Sequence, residues 1–98
     1  MREKKRFVEV AIEGVKPKDE REAKALLSKA VLEVLGENGF SEAAFAFASF
    51  DVEKQVAVVK CATASLEQVI AALALKRFHE NQDVALRVLR VYGSFPKG

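Results

Sequence analysis

Apolar and polar positions alternate from Phe7 to Glu13, with Val8, Val10 and Ile12 on one side and Phe7, Glu9, Ala11 and Glu13 on the other. A period of two predicts a strand with one buried face. Gly14 to Lys18, punctuated by Pro17, reads as a loop. The period then changes. Ala23, Leu26, Leu27, Ala30, Val31 and Val34 recur at intervals of three and four, the stripe of an amphipathic helix. Asp19 with Glu22 three residues on has the form of a capping box at its start, and Gly36 suits the left-handed position at its end. Alternation returns from Glu42 to Asp51, where Phe45 and Phe47 oppose Ala44, Ala46, Ala48 and Phe50. Asp51 to Lys54 is a hairpin turn into a third strand, Gln55–Cys61, in which only Lys60 is charged. Such a continuous apolar run belongs in the middle of a sheet.

A second helix is expected from Ser65, with Gln68 completing another capping-box pattern. Leu66, Val69, Ile70, Leu73 and Arg77 share a face, and alanines and Leu75 surround the rest. A helix apolar nearly all round is expected to be covered on more than one side. Lys76 and Arg77 in its last turn complement the helix dipole. After a polar turn from His79 to Asp83, Val84–Tyr92 reads as a fourth strand. The order strand–helix–strand–strand–helix–strand predicts an α+β fold, the ferredoxin-like or split βαβ sandwich. Four antiparallel strands would carry both helices on one face, with the first and third strands central.

At 98 residues the chain bounds one domain with one core, spanning 1–98. Its one cysteine excludes an internal disulfide. No segment reaches the ~20 apolar residues of a membrane span, and the start MREKKRFVEVAIEG has no apolar run of signal-peptide length. A cytoplasmic protein with no membrane partner is therefore expected. The net charge of +2 conceals an asymmetry. Residues 1–18 and 76–98 are each net basic, whereas 19–75 is net acidic. Basic ends of this kind suit a polyanionic partner.

The candidate chemistry is sparse. His79 has no ligand partners at metal spacing and reads as an exposed turn residue. Cys61 ends an apolar strand with no histidine or acid near it in sequence, so it reads as a small core side chain. Ser94 lacks the flanking glycines of a nucleophile elbow. No catalytic residue is assigned, and the chain alone is not expected to be an enzyme. The sheet face away from the helices should expose phenylalanines drawn from Phe7, Phe45, Phe47 and Phe50, a partner surface. RNA-recognition domains stack bases on aromatics of the two central strands. Here the third strand, QVAVVKC, has none, so base reading by the sheet is not expected.

Val58–Val59–Lys60–Cys61, Ala71–Ala72–Leu73–Ala74–Leu75, and Leu86–Arg87–Val88–Leu89 leading to Tyr92–Gly93–Ser94 are stretches whose wording resembles the ribonuclease P protein component two family, which includes the archaeal small subunit. Lys5–Arg6–Phe7 and Leu32–Glu33–Val34–Leu35–Gly36 are similar more weakly. The resemblance implies a non-catalytic subunit that binds and stabilises a catalytic RNA for removal of the 5′ leader from precursor tRNA. It implies that magnesium ions sit on the RNA and that the protein binds no cofactor itself. It also implies a TIM-barrel partner, component three, with precursor tRNA engaged indirectly. Phosphate contacts are expected from Lys4, Lys5, Arg6, Lys60, Arg87 and Arg90. Regular alternation forbids Arg87 and Arg90 from facing the same side of a strand. A homodimer through the open face stays open, as does a protein-interaction or metabolite-binding regulatory domain with no RNA role.

Overall fold

The computed structural model of the chain describes residues 4–93. In chain order the elements are β1 (Lys5–Glu13), α1 (Glu20–Ala43), β2 (Ala46–Asp51), β3 (Val56–Ala62), a 3-10 turn (Thr63–Ser65), α2 (Leu66–Leu75), β4 (Phe78–His79), β5 (Gln82–Asp83) and β6 (Ala85–Tyr92). Four strands form one antiparallel sheet in the order β2-β3-β1-β6, so β1 and β3 are central as expected. The fold is thus mixed α/β, with a four-stranded antiparallel sheet and two helices. It departs from the bare six-element order by a small hairpin, β4–β5, inserted before the last strand.

The core follows from the alternation of the central strands. Val8, Val10 and Ile12 of β1 and Ala57, Val59 and Cys61 of β3 are buried in one cluster. Ala23, Leu26, Leu27, Ala30 and Val31 of α1 join it, with Val69, Ala72 and Leu73 of α2. Burial of each valine or leucine is worth about 1.5–3 kcal/mol. The alanines let the helices approach the sheet closely.

Helix α1 starts as its sequence dictates. Asp19 Oδ1 accepts from the Glu22 amide at 3.0 Å, while Glu22 Oε1 accepts from the Lys18 amide at 3.1 Å. The Glu22 side chain therefore reaches one residue further back than in a standard capping box. The other end differs from expectation. Gly36 has φ +73° and ψ 174°, a region essentially restricted to glycine, and it breaks the helix without ending it. Helix resumes through Ala43, where Ala44 takes the left-handed position with its N–H bonded to the Ser41 carbonyl. Glu42 and Ala43 are thus helical and not part of a strand. The extra turns persist because Ala43 is buried and Phe40 packs on Phe45, ring centroids 5.6 Å apart. Val34 does not join the buried stripe; it is 48% exposed.

Helix α2 also corrects the sequence reading. Ser65 makes no capping bond, because the 3-10 turn before it holds its backbone out of the extended conformation a cap needs. Leu75 is 61% exposed, so the helix is not covered on all sides. Its last turn holds no basic residue, since the helix stops before Lys76. The Lys76 side chain turns inward instead. It is 6% exposed, and its Nζ lies 2.9 Å from Glu33 Oε1, tying the end of α2 to α1. Beyond it, Gly14 at φ +94° brings β1 so near the hairpin that an added Cβ would collide with the Asp83 carbonyl oxygen.

The hydrogen bond from Lys76 holds the Glu33 carboxyl below its ordinary value of 4.5, with Lys29 and His79 adding smaller attractions. A lowered folded pKa stabilises at and above the unfolded value and is lost as pH falls through the folded one. Glu33 is half exposed, so screening by solvent keeps the contribution near ~1 kcal/mol. Glu33→Gln should therefore cost about 1 kcal/mol in urea unfolding at pH 7, and the difference from wild type should shrink below pH 4.5. A difference constant down to acid pH would contradict this ion-pair account.

Candidate nucleic-acid interface

The register of the sheet fixes which side chains share the face turned away from the core. Ala46, Lys60, Phe7 and Tyr92 form one row across β2, β3, β1 and β6. Ser49, Val58, Glu9 and Arg90 form the next, and Asp51, Val56, Ala11 and Arg87 the third. Lys5 lies on the same face beyond the first row, opposite Ala62.

Two irregularities produce this arrangement. Pairing of β1 with β6 shifts between Glu9 and Val10, where Arg90 opposes Glu9 but Val88 opposes Val10. Leu89 is the extra residue, a β-bulge that resets the alternation of everything after it. Arg90 and Tyr92 therefore join Arg87 on the open face, and Val91 takes the other side. The expectation that the two arginines must diverge fails for this reason. A matching bulge in β2, at Ala48, puts Phe50 on the same side as Phe47.

That second bulge also corrects the expected aromatic patch. Phe45, Phe47 and Phe50 are half-buried and pack against the core cluster on the helix side. Of the four phenylalanines, only Phe7 belongs to the open face by register. The aromatic beside it is Tyr92, brought to this face by the bulge at Leu89.

The proposed phosphate ligands divide. Lys5, Lys60, Arg87 and Arg90 share the open face. Arg6 opposes Cys61 on the other side of the sheet, and its guanidinium donates to the Lys5 carbonyl at 3.2 Å. Lys4 is exposed just before β1, its carbonyl accepting from the Thr63 amide at 2.8 Å. Arg87 is oriented by Glu13 at 3.2 Å, a contact worth little in stability because both side chains are more than half exposed. Arg2 and Ser94, the latter part of the family wording, lie outside the described residues.

The remaining candidates sit elsewhere. Cys61 is fully buried, and desolvation pushes its thiol pKa up despite nearby Lys5. His79 is half-buried in β4, not exposed in a turn, because the hairpin folds it against a cleft of about 410 Å³ lined also by Val15, Lys16, Lys18, Glu22 and Leu26. Its Nδ1 is buried with no hydrogen-bond partner. Among the described residues no group of three His, Cys, Asp or Glu side chains could hold a metal.

Fold and face together define a small α/β domain whose helices cover one side of an antiparallel sheet and whose other side mixes rings with cations. The model of the Rpp14/Pop5 family matches residues 3–97, and the chain belongs to that family of ribonuclease P subunits. A chain in the cryo-EM structure of yeast ribonuclease MRP has the same fold. It aligns at a TM-score of 0.61 and 10% identity, covering 96% of this chain and 77% of that one. No curated protein matches the sequence.

The buried, proton-holding thiol of Cys61 should be inert. With an aromatic disulfide reagent, native protein is expected to release chromophore only at the rate of unfolding, and urea should accelerate it strongly. Rapid labelling of the folded chain would show the thiol to be accessible.

Proposed function

We propose that the chain is a non-catalytic protein subunit of ribonuclease P or of its mitochondrial-RNA-processing relative, corresponding to the small, archaeal-type component two. The family match over residues 3–97 carries this reading. In it, the protein binds and stabilises the catalytic RNA while that RNA removes the 5′ leader of precursor tRNA. The catalytic magnesium ions belong to the RNA. Phosphate contacts come from Lys60, Arg87 and Arg90 on the open face, with Lys4 and Lys5 at its N-terminal border. Arg6, turned to the other side, contributes there to a separate contact. Such cations release condensed counterions from the RNA they contact.

Protein partners fit a different part of the surface. The flank where Phe45, Phe47 and Phe50 are only half-covered offers apolar area to a neighbour, for which we propose the TIM-barrel component three. A cytoplasmic location accords with this role.

The test is reconstituted cleavage of precursor tRNA by the cognate RNA over a range of magnesium concentrations, with and without the chain. Added protein should lower the magnesium required. Lys60→Ala and Arg90→Ala should each reduce the slope of log affinity against log salt by about 1. Unchanged cleavage with protein present, together with unchanged salt slopes in the variants, would refute the assignment.

A further inference from the structure

We propose that the open sheet face binds an unpaired stretch of RNA by stacking a base on Tyr92 beside Phe7, with Lys60 and Arg90 holding the flanking phosphates. It rests on the RNA-subunit reading above and names the kind of RNA this face takes. Phe7 and Tyr92 are direct cross-strand partners, and Lys60 is the partner of Phe7 on its other side. Adjacent strands lie about 4.8 Å apart, so two rings and an ammonium stand side by side in one row. Arg90, two residues before Tyr92, points the same way along β6 and places a guanidinium one pleat away. Only the bulge at Leu89 allows this. Without it Tyr92 and Arg90 would turn to the helix side and two apolar residues would replace them.

Charge decides between occupants. Among the described residues, the cations Lys5, Lys60, Arg87 and Arg90 share this face with the carboxylates Glu9, Glu13 and Asp51. That near-balance is too weak for the dense phosphate array of a duplex, whose binding scales with the number of cations engaged. An apolar protein surface fits no better, because each row contains a charged side chain. Rings interleaved with a few cations are the device that holds single strands, where any base presents a stacking face and arginine adds to the stack. Of the acids, Glu13 pairs with Arg87 at 3.2 Å, and Glu9 stands opposite Arg90 in register.

The test compares binding of a fluorescent ten-nucleotide oligouridylate and a blunt RNA duplex of equal length to the full chain at one salt concentration. Tyr92, on an edge strand, is the residue to alter, since a change at Phe7 on a central strand also disturbs the core. Tyr92→Ala is expected to weaken single-strand affinity roughly five- to hundred-fold, as loss of a base stack does, with duplex affinity unchanged. Tyr92→Phe, which keeps the ring, should bind like wild type, and equal far-ultraviolet circular dichroism should accompany all three proteins. Equal single-strand binding by wild type and Tyr92→Ala, or an equal loss on both RNAs, overturns the stacking site. Absence of single-strand binding by wild type overturns it too. In each case the subunit reading is judged separately, by whether the chain still lowers the magnesium requirement of precursor-tRNA cleavage.

Discussion

One-sided burial of the two central strands is the constraint on which everything else in this domain depends. Val8, Val10 and Ile12 face the helices with Ala57, Val59 and Cys61, and their register commits every intervening residue to the opposite face. A slip of one residue in either strand would exchange the two sets and expose the core. The functional face is thus a consequence of the hydrophobic one. Phe7 and Lys60 point outward because Val8 and Val59 must point inward.

The edge strands are treated differently. Each carries one bulge, at Ala48 in β2 and at Leu89 in β6, and each bulge breaks the period of two. The physical gain differs at the two edges. In β2 the bulge turns Phe50 to the side of Phe47, where both cover the cluster. In β6 it turns Arg90 and Tyr92 outward and sets Val91 on the helix side, where it is 41% exposed. Bulges also twist an edge and discourage its pairing with another chain.

This explains what could be read from the chain and what could not. The central strands β1 and β3, α1 as far as Gly36 and α2 follow from periodicity, because their buried residues obey one period throughout. The open-face residues of β1 and β3 follow as well. What failed lies past a bulge or a break, or in the β4–β5 hairpin read as a plain turn: the divergence expected of Arg87 and Arg90, the side of Phe50 relative to Phe47, and the helical turns after Gly36. A bulge is set by the partner strand's register, which no single segment encodes. Ser65 and Lys76 failed for another reason. Their signals for capping and for the helix dipole were overridden, by the local 3-10 turn in one case and by the reach of Lys76 to Glu33 in the other. The missed residue with the greatest consequence is Tyr92, which reaches the open face only through the bulge at Leu89.

The central claim is that this chain meets RNA through the face that the β6 bulge completes. Amide chemical shifts of the isotope-labelled protein, followed by NMR as ribonuclease P RNA fragments are added, test it most directly. The account predicts the largest changes at Phe7, Lys60, Arg90 and Tyr92 and their strand neighbours, with α1 and α2 little affected. Changes confined to the helices, with the open face silent, would contradict it.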